Sequence, residues 1–261
     1  MKNRLLSGLA GMAIGVALVA GWQFLRTETA PAPAAQSAAA LKISDDPLIA
    51  GFQRSTVASV ADAVDQVVGR RGYLNYDLRP RVPGRFVGRA RTALVRPAPP
   101  DKALPALAVK HSVEMIEDAK PGEVGVIVME DGLNVAAIGG LMATAAVSRG
   151  MAGMILDGGV RDLEEIRALG LPVFARSVTP GTAVGRYASV AKDLAVECAG
   201  VTINPGDIIV AGEDGVVAVP AAQAAEVLKK SQEIDERESK MVPFIQKFKS
   251  LSKAIAEFDR I

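Results

Sequence analysis

Two short stretches carry residue types that together can grip a small acid. Gly139-Gly140-Leu141-Met142-Ala143-Thr144 opens a helix, and Asp157-Gly158-Gly159-Val160-Arg161-Asp162 closes the strand that follows it. Backbone N–H groups at a helix start favour negative charge, so the amides of Leu141 and Met142 are placed to face a carboxylate, and Gly139 and Gly140 let the backbone approach it closely. Arg161 brings a guanidinium fork that pairs with carboxylates through two hydrogen bonds. Asp162 adds a hard oxygen donor suited to a divalent cation. Each has an ordinary explanation when read singly: the glycines as a helix start, Asp162 as an N-cap, Arg161 as surface charge. Their joint occurrence on adjacent strand-to-helix turns points to a small-acid site, because open α/β sheets bind ligands outside the carboxyl ends of their strands.

Other chemistries lack their residues. His111 is the only histidine and no serine elbow occurs, so nucleophile-and-base schemes are largely excluded; zinc clusters are absent. Gly139-Gly140 lacks the spaced third glycine and the following acid of a dinucleotide fingerprint, and no Gly-Lys-Ser/Thr follows a glycine loop. Cys198 is alone and reads as a buried, inert thiol. A net charge of +1 gives no global footprint for nucleic acid. The arginines between Arg70 and Arg96 form one locally basic stretch; Arg89 and Arg91 alternate with Ala90 and Thr92, which reads as a solvated sheet face, with an anion-binding patch as the alternative.

The elements that must hold these residues follow from pattern. With 261 residues, 23% charged and 4% aromatic, the chain suits one α/β domain with appendages. Lys2 and Arg4 precede residues 5–25, a run without charge that ends beside Trp22 and Arg26. Residues 1–28 therefore read as a cleaved signal peptide or a retained transmembrane anchor, with the body outside the cytoplasm, periplasmic or membrane-anchored through residues 5–25. Residues 29–45 are an Ala/Pro linker, 46–240 the domain and 241–261 a C-terminal helical extension. Helical spacing predicts a helix over 55–68 with Ser55 as its cap. The order strand 86–95, helix 113–119, strand 124–129, helix 140–148, strand 153–156, helix 163–169, strand 172–175 implies parallel pairing. Short strands at 194–198, 201–203, 207–211 and 216–219 make a meander, followed by a charged helix from 221 through 241 and a further helix over 244–258.

Gly139-Gly140-Leu141-Met142-Ala143-Thr144-Ala145, Arg149-Gly150, Asp157-Gly158-Gly159-Val160-Arg161-Asp162 and Leu171-Pro172-Val173-Phe174-Ala175-Arg176 resemble a known family. So do the closing segments Pro205-Gly206-Asp207 and Glu213-Asp214-Gly215-Val216-Val217-Ala218-Val219-Pro220. They resemble the regulator-of-ribonuclease-E-activity A-like family, which includes the metal-dependent 4-hydroxy-4-methyl-2-oxoglutarate aldolases. The resemblance implies a three-layer α/β/β sandwich of the swivelling-domain kind, assembled as a homotrimer or hexamer. It implies that Asp162 ligates Mg²⁺ or Mn²⁺, that Arg161 binds substrate, that Gly139, Gly140, Leu141 and Met142 cradle the carboxylate of a small 2-oxo acid, and that Glu238 is an acid donated by a neighbouring subunit. The implied activity is cleavage of 4-hydroxy-2-oxo acids to pyruvate, with oxaloacetate decarboxylation through the same enolate; the alternative is a non-catalytic binding or regulatory protein of the same fold. Gly140 stands where many of these aldolases carry an acid, and Gly212 where the closing motif often has Asp. The leader and the tail beyond Met241 also depart from the family pattern.

Overall fold

The computed structural model describes residues 43–259. In chain order the elements are α1 (Pro47–Arg54), α2 (Val57–Val68), β1 (Arg79–Val82), β2 (Phe86–Pro97), α3 (Pro105–Ala108), α4 (Lys110–Glu117), β3 (Val124–Met129), β4 (Ala136–Ile138) and α5 (Gly140–Ser148). There follow β5 (Gly153–Val160), α6 (Leu163–Leu169), β6 (Val173–Val178), β7 (Tyr187–Lys192), β8 (Val196–Cys198), β9 (Val201–Ile203), β10 (Ile208–Gly212), β11 (Gly215–Val219), a 3-10 turn at Ala221–Gln223, α7 (Ala224–Phe248) and α8 (Leu251–Phe258). The fold is mixed α/β, as expected.

Strands β2, β3, β5 and β6 pair in parallel, and β3 is buried along its whole length, which is why it reads as a continuous apolar run. The long strand β2 then serves two leaves: Phe86 to Arg89 pair antiparallel with β10, while Ala90 to Val95 pair with β3. Alternation along these strands sorts the apolar side chains into three clusters. Ile127, Met154 and Leu156 pack under Met115, Ile116, Ala143, Ala146 and Ile166 from α4, α5 and α6. Their neighbours Val126, Ile155 and Phe174 face the β8–β9 ribbon and Ile209 and Ala218 of the β10–β11 hairpin. The opposite side of that hairpin, Ile208, Val210 and Val217, packs on Phe52, Val60, Val64 and Val227 of α1, α2 and α7. A helical layer thus covers the hairpin as well as the parallel sheet, because both faces of β10 and β11 are apolar.

Several boundaries differ from the sequence reading. The cap of α2 is Thr56, whose hydroxyl accepts from Ser59 N at 3.1 Å, rather than Ser55, which is buried against Ser231. Strands β1, β4 and β7 and helices α1 and α3 have no counterpart in that reading; β4 is too short for a period to show. Helix α7 continues through Met241 despite Pro243 and ends at Lys249 in the left-handed region, so residue 240 lies mid-helix. Ser250 caps α8, which folds back to place the Phe258 ring 5.6 Å from that of Phe244.

Nor do Arg89 and Arg91 form a solvated face. Arg89 pairs with Asp46 at 2.8 Å, Arg91 binds both oxygens of Asp193 at 2.7 Å, and Arg85 donates to the carbonyls of Phe52 and Ser55. These arginines tie segments together across the sheet. The expected leader and nearly all of the expected Ala/Pro linker lie outside the described residues; among the described residues no helix is long and apolar enough to cross a membrane.

Candidate active site

Strand β4 decides where the two turns meet. It takes up the ladder along β5 where β3 leaves it, pairing Ala136 with Gly159 and Ile138 with Val160. The Ile138 carbonyl accepts from Arg161 N at 3.2 Å, so the turn entering α5 and the turn entering α6 are hydrogen-bonded side by side. Gly159 makes this possible: a Cβ there would lie 2.5 Å from Thr179 Cγ2 and 2.7 Å from the Val135 carbonyl. Arg161 and Asp162 are thereby brought to the start of α5, as their spacing predicts.

Asp162 has left-handed backbone angles, φ 56° and ψ 41°, at the N-cap of α6, yet it makes no side-chain cap there. A left-handed non-glycine residue costs about 1–2 kcal/mol, and such strain persists where surrounding structure over-determines it. Here the backbone turn swings the carboxylate away from its own helix, and Oδ2 accepts from Gly140 N at 2.9 Å. Asp162 therefore caps α5 rather than α6, which corrects the ordinary N-cap reading. The charge sits at the positive end of the α5 dipole, a favourable place for an anion.

Arg161 Nε lies 3.5 Å from Asp162 Oδ2, and among the described residues the Arg161 side chain makes no hydrogen bond. Its half-exposed guanidinium thus keeps a fork for an incoming anion. Arg176, one strand over, is different: it binds Asp77 at 2.8 Å and Asp157 at 3.0 Å, while Asp157 also accepts from Ala199 N at 2.6 Å. That arginine locks β6 to β5 and to the segment before β1, and Asp157 carries the link on to the turn after β8. The amides of Leu141 and Met142 have no acceptor among the described residues, because the Asp162 carboxylate reaches only Gly140 N and the next amides of a first helical turn have no carbonyl within the helix to bond. Leu141 is 89% exposed beside them, whereas Met142 packs partly on the first cluster.

Glu238 is not brought to this site within one chain. It lies exposed on α7, which packs on α1, α2 and α8 on the far side of the β10–β11 hairpin. A residue that sequence reasoning missed is Glu165, on the first turn of α6: a Cβ on Gly140 would overlap its Oε2. The only signal for it was its place three residues after Asp162.

A divalent ion with hard ligands finds Asp162 Oδ1 without a partner, while among the described residues no group of three or more His, Cys, Asp or Glu converges to enclose one. Mg²⁺ keeps several waters and is held by one or two carboxylates plus substrate oxygens, so a lone Asp162 fits as its protein ligand.

The family model described as "RraA-like: Aldolase/RraA" matches residues 57–218, the span that holds both turns. The chain belongs to the RraA-like family. A relative from Halalkalibacterium halodurans, provisionally named a 4-hydroxy-4-methyl-2-oxoglutarate aldolase, is 31% identical over 186 residues, 70% of this chain and 81% of that protein. An uncharacterised protein of Methanocaldococcus jannaschii is 37% identical over 116 residues, 44% of this chain but only 55% of its own length. Among solved structures, Streptomyces coelicolor RraAS2, described as an unusual member of the RNase ES inhibitor RraA protein family, aligns with a TM-score of 0.65 at 26% identity, over 76% of this chain and 96% of that one.

Proposed function

We propose that the chain is a divalent-metal-dependent carbon–carbon lyase that releases pyruvate from 4-hydroxy-2-oxo acids of the 4-hydroxy-4-methyl-2-oxoglutarate type and also decarboxylates oxaloacetate. The observation that carries this reading is the convergence, at the start of α5, of the Asp162 carboxylate with the hydrogen-bond-free Arg161 guanidinium. The name of the Halalkalibacterium halodurans relative supports it.

Arg161 and the amides of Leu141 and Met142 hold the carboxylate of the 2-oxo acid. The negative charge that grows on the keto oxygen as the carbon–carbon bond breaks then lies beside fixed positive charge, and one such donor is worth about 3–4 kcal/mol to a transition state. A Mg²⁺ or Mn²⁺ ion on Asp162 would supply Lewis-acid polarisation of the keto group. No lysine Schiff base is required. In this reading the layers are those of the family's α/β/β sandwich, extended by a C-terminal helical pair, and the protein assembles as a trimer or hexamer. Leu141 is then covered by a neighbour, and the neighbour's copy of Glu238 reaches the site. The domain works outside the cytoplasm, behind a leader.

The test is pyruvate release, followed with lactate dehydrogenase, from 4-hydroxy-4-methyl-2-oxoglutarate and oxaloacetate. Turnover is expected with Mn²⁺ and is lost with chelator and in Asp162→Ala; no pyruvate from either substrate would end the lyase reading. The likeness to RraAS2 favours a second reading, a non-catalytic binding protein, for which a stoichiometric protein partner in pull-downs is the expected finding.

A further inference from the structure

Gly139 and Gly140 are not glycines for the sake of their backbone. Gly139 is extended, with φ −136° and ψ −166°, and Gly140 begins α5 without a positive φ. Both conformations are open to any residue. What the two glycines provide is room. A Cβ on Gly139 would come 2.5 Å from Asp162 Oδ2 and 2.9 Å from Arg161 Nε, and a Cβ on Gly140 would overlap Glu165 Oε2. Two carboxylates therefore lie over two consecutive Cα atoms at the mouth of one helix, each in the space a side chain would fill.

Glu165 has no structural employment that accounts for this position. It stands three residues after the N-cap of α6, where Glu ordinarily reaches back to the N-cap amide in a capping box. With Asp162 in the left-handed region that bond is not made, and among the described residues Glu165 forms no hydrogen bond and no ion pair. Asp162 is committed to Gly140 N; Glu165 is a second, uncommitted carboxylate at the same opening.

We propose that Glu165 is a catalytic proton carrier of this site, an assignment that rests on the lyase reading. As the C3–C4 bond of a 4-hydroxy-2-oxo acid breaks, the C4 hydroxyl proton passes to the Glu165 carboxylate. The O–H electron pair becomes the new carbonyl of the departing fragment, and the C3–C4 pair becomes the enolate. The proton then returns from Glu165 to C3 and completes pyruvate. Run on pyruvate alone, the same group removes and replaces methyl hydrogens, so the site needs no second acid from elsewhere to exchange them.

The experiment is exchange of the pyruvate methyl hydrogens in D₂O, followed by NMR on the full chain with Mn²⁺, beside a direct titration of Mn²⁺ binding. Glu165→Gln should still bind Mn²⁺ and melt as the wild type does, yet lose about 10²–10⁴ in exchange rate. Glu165→Asp should recover part of that loss. Gly140→Ala offers an independent check: its methyl group displaces the Glu165 carboxylate, while Ala forms helix better than Gly, so exchange should fall with no drop in melting temperature. Wild-type exchange rates in Glu165→Gln would overturn the assignment while leaving the lyase reading intact, as would exchange lost instead in Glu238→Gln. Loss of Mn²⁺ binding in Glu165→Gln would also overturn it, by giving the residue to the ion instead of the proton. A wild-type chain that neither exchanges pyruvate nor produces it would remove the lyase reading, and this assignment with it.

Discussion

Replacing Gly159 by Ala isolates the contact that sets the site, because Gly159 has no positive φ and only its missing side chain matters. The new Cβ would meet Thr179 Cγ2 at 2.5 Å, the Val135 carbonyl at 2.7 Å and Ser177 Oγ at 3.0 Å. Thr179 and Ser177 can turn aside. The Val135 carbonyl cannot, since it accepts from Gly159 N at 3.0 Å in the same ladder. Overpacking of this kind costs about 1–3 kcal/mol. At about 2–4 °C per kcal/mol for a domain of this size, the melting temperature should fall by about 2–12 °C. The second consequence is local. β4 must move away from β5, which loosens the bond from Arg161 N to the Ile138 carbonyl and parts the two turns. Misplacement by about 1 Å costs about 10²-fold in rate, so pyruvate release should drop far more than stability alone explains when assayed well below the melting point. Thermal unfolding by circular dichroism and the coupled pyruvate assay read the two effects. A Gly159→Ala variant that melts with the wild type and turns over at the wild-type rate would refute the claim that the β4–β5 fit positions Arg161 and Asp162.

Other expectations follow from the same geometry. The two hydrogen bonds from Arg91 hold the Asp193 carboxyl below the usual carboxylate range. With the folded pKa depressed, their contribution is present above the ordinary Asp value near pH 4 and is lost as pH falls through the lower, folded-state value. Asp193→Asn should therefore lower stability at pH 7 by about 1 kcal/mol, allowing for solvent screening at an Asp193 side chain about a third exposed, and the gap from wild type should close as pH falls below about 4. Denaturant melts across that range check it, and a constant gap counts against the pair. Burial pushes the Cys198 thiol well above its usual value, so iodoacetamide should leave it untouched in the native chain and modify it once denatured; native labelling seen by mass spectrometry would contradict its burial. A phosphatase-type topology reporter fused after Ile261 should be active if residues 5–25 direct export, and a signal confined to the cytoplasm would reject the leader.

Much of the fold was legible because period and composition carry it. The central strand β3 and helices α5 and α6 match the elements read from apolar runs and helical spacing, residue for residue. What was not legible came from pairing. Strand β4 spans Ala136–Ile138, too short for alternation to register, yet it sets the height of the α5 start. Arg89 and Arg91 alternate like a solvated face, and only their distant partners Asp46 and Asp193 make them structural. Helix α7 passes Pro243 because neighbouring contacts outweigh one lost donor.

For the site, the amino-acid sequence by itself determined the chemical inventory: a guanidinium, a carboxylate and a glycine-opened helix start on consecutive strand-to-helix turns. Residue types and local spacing are enough for that. Only the tertiary structure decided that Asp162 turns its carboxylate onto the neighbouring helix, that Glu165 occupies the space above Gly140, and that Glu238 belongs to another face of the chain. Those facts depend on a left-handed residue and on atoms packed between segments far apart in sequence, and no pattern read along a single chain records which side chain fills the room a glycine leaves.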